Sequence, residues 1–138
     1  MLDYLAQNWY LILALIFVIF MLSKGAISKR LSGYDEVDPL QATQLINHEN
    51  AVVLDVREPK EWAEGHIPGA RHVPLGQLGS QMASLEKLKE RPVITQCRSG
   101  MRSAAAAAAL KKAGFAKVYN LKGGIMAWRN AGLPLERD

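Results

Sequence analysis

The stretch Pro92-Val-Ile-Thr-Gln-Cys-Arg-Ser-Gly-Met-Arg-Ser103 places three kinds of local structure next to one another. Pro92–Gln96 is short and rich in β-branched residues, which predicts a strand buried on both faces. Cys97–Arg102 is polar and contains a glycine, so it predicts a loop. Ser103–Ala113 holds six consecutive alanines and predicts a helix that can lie close against a sheet, ended by Gly114. Strand, loop and helix in this order form part of a crossover unit of a parallel sheet.

The pattern continues on both sides of this stretch. Asp38-Pro39-Leu40-Gln41 is a good helix start, because Asp38 can cap, Pro39 fits the first turn and Gln41 completes a capping box. Helices are predicted near 38–47, 60–64, 77–90 and 125–130, and strands at 51–56, 71–74 and 117–121. This alternation predicts an α/β domain whose parallel sheet is covered by helices on both faces.

The N-terminal part of the chain differs from the rest. Between Asp3 and Lys24 lie 20 residues without a formal charge, 4–23, enough for a helix of about 30 Å. We predict a transmembrane anchor over residues 1–23, a juxtamembrane linker over 24–37 and the α/β domain over 38–138. Because the cations follow the apolar run, the C-terminal side is expected in the cytoplasm. A cleaved signal peptide and a buried core helix are the alternatives.

Composition excludes several classes of protein. The chain has 138 residues, 49% of them hydrophobic, which is enough apolar material for a single core and argues against disorder. One cysteine makes no internal disulfide, and no Cys/His cluster suggests a metal site. A net charge of +4 with scattered basic residues does not indicate nucleic-acid binding.

Cys97 is the main candidate for chemistry. It follows a predicted buried strand at the edge of a parallel sheet, where ligands bind. The loop Arg98–Arg102 can turn successive N–H groups towards one point, Gly100 permits the backbone angles, and Arg98 and Arg102 add positive charge. Each effect favours the thiolate, so we expect a lowered pKa and a nucleophilic Cys97. A buried structural cysteine is the alternative.

Two reaction classes use a cysteine in such a loop: phosphate-ester hydrolysis and sulfur-atom transfer. Arg102 lies five positions after Cys97, whereas Cys-dependent phosphatases have a loop that is longer by one residue and usually carry His where this chain has Gln96. The tighter loop suits the terminal sulfur of a persulfide. A phosphatase or arsenate reductase stays as an alternative, as does a non-enzymatic docking module held at the membrane.

The chain resembles the rhodanese family of sulfurtransferases in its single-domain form, over about residues 37–136. The resemblance rests on four segments: Leu54–Arg57 with Glu61 and Trp62, Gly65–Ala70, Cys97–Ser103, and Leu121–Trp128 followed by Ala131–Pro134. It implies that the Cys97 thiolate takes the outer sulfur of a donor such as thiosulfate. The loop amides from Arg98 to Arg102, including Ser99, Gly100 and Met101, would hold the resulting persulfide.

The same resemblance implies the partners and the cofactors. A small sulfur-containing anion would be the donor and a thiol the acceptor, in a ping-pong cycle without metal or organic cofactor. No protein partner is named by the sequence, although residues 4–23 would bring the domain to a membrane.

The roles of several other side chains are less specific. Arg57 either lines the mouth of the site or pairs with Asp55, and Asp55 is expected to be structural. Arg102 either contacts substrate or braces the loop through a carboxylate. His66 is expected to be architectural, and Trp62 and Trp128 to be core aromatics.

Overall fold

The computed structural model describes the backbone of residues 1–138 and the side chains of residues 1–24 and 33–138. The chain divides into two compact units, 1–32 and 33–138. The first unit consists of two helices, α1 (Leu2–Gln7) and α2 (Trp9–Ser32). Among the side chains described, no helix combines the length and the apolar character that a membrane crossing requires. The predicted anchor is not supported by this finding. Two of the cations that follow the apolar run, Lys29 and Arg30, have side chains outside the described ones.

The second unit is built on a parallel five-stranded sheet with the order β1-β5-β4-β2-β3. Its strands are β1 (Asp35–Val37), β2 (Val52–Asp55), β3 (Arg71–His72), β4 (Val93–Gln96) and β5 (Val118–Leu121). Every residue of β2 and β4 is buried, as expected for strands covered on both faces. The central position of β4 places the residue that follows it, Cys97, in the middle of the carboxyl edge.

Helices connect the strands: α3 (Pro39–Glu49), α4 (Pro59–Ala63), α5 (Leu78–Gln81), α6 (Met101–Lys112) and α7 (Gly124–Asn130), with 3-10 turns at Leu75–Gln77 and Met82–Leu88. The capping box predicted for α3 is present. The Gln41 N–H donates to Asp38 Oδ1 at 2.8 Å, and the Asp38 N–H donates to Gln41 Oε1 at 3.0 Å. Local sequence therefore fixes where this helix begins.

Two hydrophobic clusters cover the two faces of the sheet, which confirms the predicted α/β architecture. One cluster includes Leu54 and Val93 with Ala106 and Ala107 of α6. The other includes Val53 and Ile94 with Ala42 of α3 and Trp128 of α7. Ala106 and Ala107 are fully buried, so the alanines bring α6 close to the sheet.

Two predictions of secondary structure differ from the structure. The segment predicted as a linker, 24–37, contains β1, a short strand that pairs in parallel with β5 and has only Val37 buried. The single helix predicted over 77–90 is instead a short α-helix flanked by 3-10 turns. An edge strand with one inward residue carries no periodic pattern, and Gly76 and Gly79 weaken a regular helix.

Candidate active site

Cys97 lies at the bottom of a loop of backbone amides. Its residue is only 1% exposed, and its side chain lies on the α6 side of the sheet with the first hydrophobic cluster. The Gly100 N–H donates to the Cys97 Sγ at 3.1 Å and the Ser103 N–H at 3.4 Å. Gly100 has φ +107°, a conformation that glycine adopts without strain. The loop thus directs main-chain dipoles at the sulfur.

The electrostatics of this loop favour the thiolate. Burial by itself raises the pKa of the Cys97 thiol, but hydrogen bonds from the Ser103 hydroxyl and from the backbone of Ser103, Gly100 and Ser99 hold the pKa below its ordinary value. A thiol of this kind supplies more nucleophile at neutral pH than a free cysteine does.

Ser103 and Asn120 form a second layer around the sulfur. Ser103 Oγ lies 3.3 Å from Cys97 Sγ and donates to Asn120 Oδ1 at 2.6 Å. The Asn120 Nδ2 in turn donates to the Gly100 carbonyl at 3.1 Å. A single hydroxyl proton therefore lies between the amide oxygen and the sulfur. A negative sulfur has no proton of its own to give, so in the thiolate form the Ser103 hydroxyl is the group of this pair that can donate.

The start of α7 holds the other side of the loop. The Ile125 N–H donates to the Cys97 carbonyl at 2.8 Å, and the Met126 N–H donates to the Arg98 carbonyl at 3.3 Å. Gly124 makes this approach possible: its φ is +58°, and a Cβ there would overlap the same two carbonyl oxygens. Gly124 is therefore the residue on which the loop packs, and a side chain there would push the loop away from α7.

Arg57 is built into the scaffold below the site. It is 4% exposed, its Nε donates to Asp55 at 3.0 Å, and its Nη2 donates to the other Asp55 oxygen at 2.8 Å. The remaining contacts go to backbone carbonyls of Glu61 and Gly65, at 3.2 and 2.8 Å. All three guanidinium nitrogens have protein acceptors. This geometry favours the Asp55 ion pair over substrate binding as the role of Arg57, and it ties β2 to α4.

Arg102 is engaged in the same way. Its two terminal nitrogens donate to the two carboxylate oxygens of Glu61 at 2.6 and 2.9 Å. The hydrogen bonds from Arg102 hold the pKa of the Glu61 carboxyl down at about 2, and the same pair raises the pKa of the Arg102 guanidinium. The bracing role left open for Arg102 is the one that this geometry favours.

The rest of the predicted loop forms a rim. Arg98, Ser99 and Met101 are exposed. A cavity of about 200 Å³ lies beside the loop, between α4 and α7. Its lining residues are Arg57, Glu61, Glu64, Arg98, Ile125, Met126 and Arg129. Because Arg57 and the Glu61 carboxylate are paired as described, the remaining charged residues of the cavity are Arg98 and Arg129, which suit a small anion, and Glu64.

Sequence reasoning missed the residues that complete the site: Glu61, Ser103, Asn120 and Gly124. Three of them, Glu61, Ser103 and Gly124, are within the quoted segments, yet nothing local assigns Ser103 to the sulfur or Glu61 to Arg102. Asn120 is a buried polar residue within β5, which was the available signal. Within the described side chains, no group of three His, Cys, Asp or Glu residues could hold a metal ion.

The parallel α/β fold and a buried thiol within a loop of N–H donors define a class of proteins that react through an anion-binding cysteine loop. The comparison with protein families agrees. A family model described as the rhodanese-like domain matches residues 38–131. The chain belongs to the rhodanese-like domain family.

Relatives and solved structures extend this result. The uncharacterized protein YibN of Escherichia coli strain K12 is 43% identical over 98 residues, covering 70% of this chain and 68% of that protein. The thiosulfate sulfurtransferase GlpE of Actinobacillus pleuropneumoniae serotype 5b is 35% identical over 103 residues, covering 75% and 94%. The crystal structure of a rhodanese-related protein of Thermoplasma volcanium has a TM-score of 0.69 and 30% identity, covering 76% and 100%. The chain is thus similar to sulfurtransferases over its α/β unit.

Proposed function

We propose that the protein is a thiosulfate sulfurtransferase-like enzyme that carries sulfur as a Cys97 persulfide. The observation that carries the proposal is the convergence of the Gly100 and Ser103 N–H groups on the Cys97 Sγ, at 3.1 and 3.4 Å. Such donors stabilise a negative sulfur without a metal. The name of the Actinobacillus relative gives thiosulfate as a substrate class for a protein of similar sequence.

The proposed cycle has two displacements. In the first, the Cys97 thiolate attacks the outer sulfur of thiosulfate, an S–S bond forms to Cys97, and the bond to the central sulfur breaks with its electron pair leaving on sulfite. In the second, a thiolate acceptor or cyanide attacks the outer sulfur and Cys97 leaves as the thiolate. Electrons and charge balance in each step, so no redox cofactor enters. The exposed Arg98 and Arg129 would attract the anionic donor to the cavity.

The phosphatase alternative is less well supported. A loop arginine that binds a phosphoryl group needs its planar fork free for two oxygens. Here the Arg102 fork already makes two hydrogen bonds with the Glu61 carboxylate. A non-enzymatic docking module would not need the hydrogen bonds that converge on the Cys97 sulfur. These observations support sulfur transfer over both alternatives.

Mass spectrometry of the intact protein tests the proposal. After exposure to thiosulfate, the protein is expected to gain about 32 Da on Cys97, and cyanide should remove this mass. Cys97→Ser is the matched variant, because it keeps a small polar side chain and should gain no mass. An unchanged wild-type mass, with hydrolysis of an aryl phosphate or reduction of arsenate, would support the competing class instead.

We further propose that the N-terminal unit attaches the domain to a membrane, with the α/β unit in the cytoplasm. The support is the uncharged run from Tyr4 to Ser23 and the exposed apolar side chains of Trp9–Leu22. The full chain is expected to sediment with membranes and to resist alkaline carbonate extraction. The orientation predicts that protease reaches the α/β unit in inverted vesicles but not in intact spheroplasts. Release by carbonate, or cleavage in intact spheroplasts, would contradict this proposal.

A further inference from the structure

Gln96 is a buried polar residue next to the nucleophile that the proposed chemistry does not use. It ends β4, is 0% exposed, and shares with Ile94 the face of the sheet that packs on α7, because side chains alternate along a strand. Its Nε2 donates to the Cys97 carbonyl at 2.7 Å. Among the residues with described side chains, none donates to its Oε1. An amide buried with one half unpaired costs folding free energy that a methionine or leucine would avoid.

The hydrogen bond that this amide makes has a geometric consequence for the loop. The Cys97 carbonyl receives Gln96 Nε2 at 2.7 Å and Ile125 N at 2.8 Å, both from the α7 side of the sheet. In a trans peptide the next N–H points in the opposite direction from the carbonyl. The N–H of Arg98 is thereby turned towards the α6 side, where the Cys97 side chain lies, and the loop that follows brings the N–H groups of Gly100 and Ser103 to the sulfur. The Arg98 carbonyl is held by Met126 in the same sense, which directs the Ser99 N–H inward as well.

We propose that Gln96 is a positioning residue of the sulfur-binding loop: its side-chain amide holds the Cys97 carbonyl outward and so sets the first peptide plane of the loop whose later N–H groups bind the sulfur. Gln96 touches neither the sulfur nor a substrate, and it acts through the Cys97–Arg98 peptide plane. The inference rests on the thiolate chemistry of Cys97 proposed above and adds a residue to it. The unpaired Gln96 oxygen then lowers the stability of the fold, while the amide nitrogen orients the loop. Such conflicts between stability and function are common at functional sites.

The decisive variant is Gln96→Met, which keeps the length of the side chain and removes the donor together with the unpaired acceptor. A residue that only stabilises the fold would lower the melting temperature when it is lost. Here we expect the melting temperature to stay the same or rise, while the reactivity of Cys97 falls. The pH midpoint of Cys97 alkylation by iodoacetamide should move up by about half to one unit. At a fixed pH below the midpoint, alkylation should slow about 3- to 10-fold, because the thiolate fraction falls by that factor.

Two further variants complete the series. Gln96→Glu replaces the amide with a carboxyl group that loses its only donor when it ionises and then adds a negative charge near the thiolate. Under conditions where it is ionised, its alkylation midpoint should lie above that of Gln96→Met. Ile94→Val is the matched control, since Ile94 is fully buried on the same face of the same strand and makes no hydrogen bond to the loop through its side chain. It should lower the melting temperature and leave the midpoint unchanged.

The experiment uses the full chain and reads alkylation, so it does not depend on sulfur transfer. If wild-type protein alkylates normally but gains no sulfur from thiosulfate, the proposed function fails while the role of Gln96 is still measured. A midpoint in folded Gln96→Met within about 0.2 units of wild type would overturn the inference. If both variants fail to fold, the test is made by NMR on isotope-labelled wild-type protein. The measurement is the scalar coupling across the hydrogen bond between the Gln96 side-chain nitrogen and the Cys97 carbonyl carbon. Its absence also overturns the inference.

Discussion

Two regions of the site stabilise negative charge by different groups. Around the Cys97 sulfur, the donors are backbone N–H groups and a hydroxyl. Within the described part of the chain, no carboxylate or guanidinium makes a hydrogen bond to this sulfur. Below and beside it, Asp55 pairs with Arg57 and Glu61 pairs with Arg102. The formal charges neutralise one another and hold elements together, while neutral dipoles stabilise the reacting atom. Fixed dipoles suit that task because they need little reorganisation when the sulfur becomes charged.

The largest effect is expected where the loop meets α7. In Gly124→Ala, the added Cβ would overlap the carbonyl oxygens of Cys97 and Arg98, and φ +58° is strained for alanine. The loop must move, so sulfur uptake from thiosulfate should fall by about 100-fold or more, because small displacements of reacting groups are costly. The stability should also fall, by about 1–3 kcal/mol. Single-turnover mass measurements and chemical denaturation check both.

Gly79→Ala is the control for that substitution. Gly79 has open space around the position of a Cβ and lies in α5, so alanine there should leave uptake unchanged and keep or slightly raise stability. Wild-type uptake by Gly124→Ala would show that the loop does not depend on its contact with α7.

A smaller effect is expected within the sulfur pocket. Ser103→Ala removes one donor near the Cys97 Sγ and leaves Asn120 Oδ1 without its hydroxyl partner. Loss of a donor to the thiolate should raise the pKa of Cys97, so the alkylation midpoint should rise by about one unit. Stopped-flow or mass-based alkylation across pH 5–10 measures this.

Thr95→Val separates the sulfur contact from general packing. The single hydroxyl proton of Thr95 has two carbonyl acceptors within reach, Ser103 at 2.9 Å and Tyr119 at 3.2 Å, and no hydrogen bond from Thr95 to the sulfur is found. The variant should lose about 1 kcal/mol of stability with no change in the alkylation midpoint. Equal midpoints for Ser103→Ala and wild type would contradict the assigned role of the hydroxyl.

The smallest effect is expected for the ion pair between Glu61 and Arg102. The pKa of Glu61 is lowered to about 2, so its ionised form stabilises the fold above the ordinary value of 4.5, and that contribution is lost as pH falls through 2. Glu61→Gln should therefore lower stability by about 1 kcal/mol or less at neutral pH, and it should reduce the loss of stability between pH 5 and 2. Thermal melting across this range measures the difference, and sulfur uptake at neutral pH should change less than about 3-fold.

Glu49→Gln is the control in this case, because Glu49 lies 3.8 Å from Lys117 in an exposed pair. Its pH profile should follow that of wild type. If the stability of Glu61→Gln changes with pH as that of wild type does, the Glu61–Arg102 pair makes no pH-dependent contribution to stability.

The comparison also explains what could be predicted. The strands β2, β4 and β5, the capped start of α3 and the alanine-rich α6 follow from patterns of neighbouring residues, and the structure confirms them. The short edge strand β1 and the broken helix over 75–88 were missed. Their backbone conformations depend on pairing with β5 and on packing, not on a local repeat.

The same division holds for the site. The sequence by itself determined that a cysteine opens a short glycine-containing loop between a buried strand and a helix, because residue order along the chain sets those elements. Tertiary structure alone decided that Arg102 binds Glu61, 41 positions away, and that Ser103 binds Asn120, 17 positions away. It also decided that Gly124 lies against the loop. These contacts join separate crossover units, and only the folding of the sheet brings their carboxyl edges together.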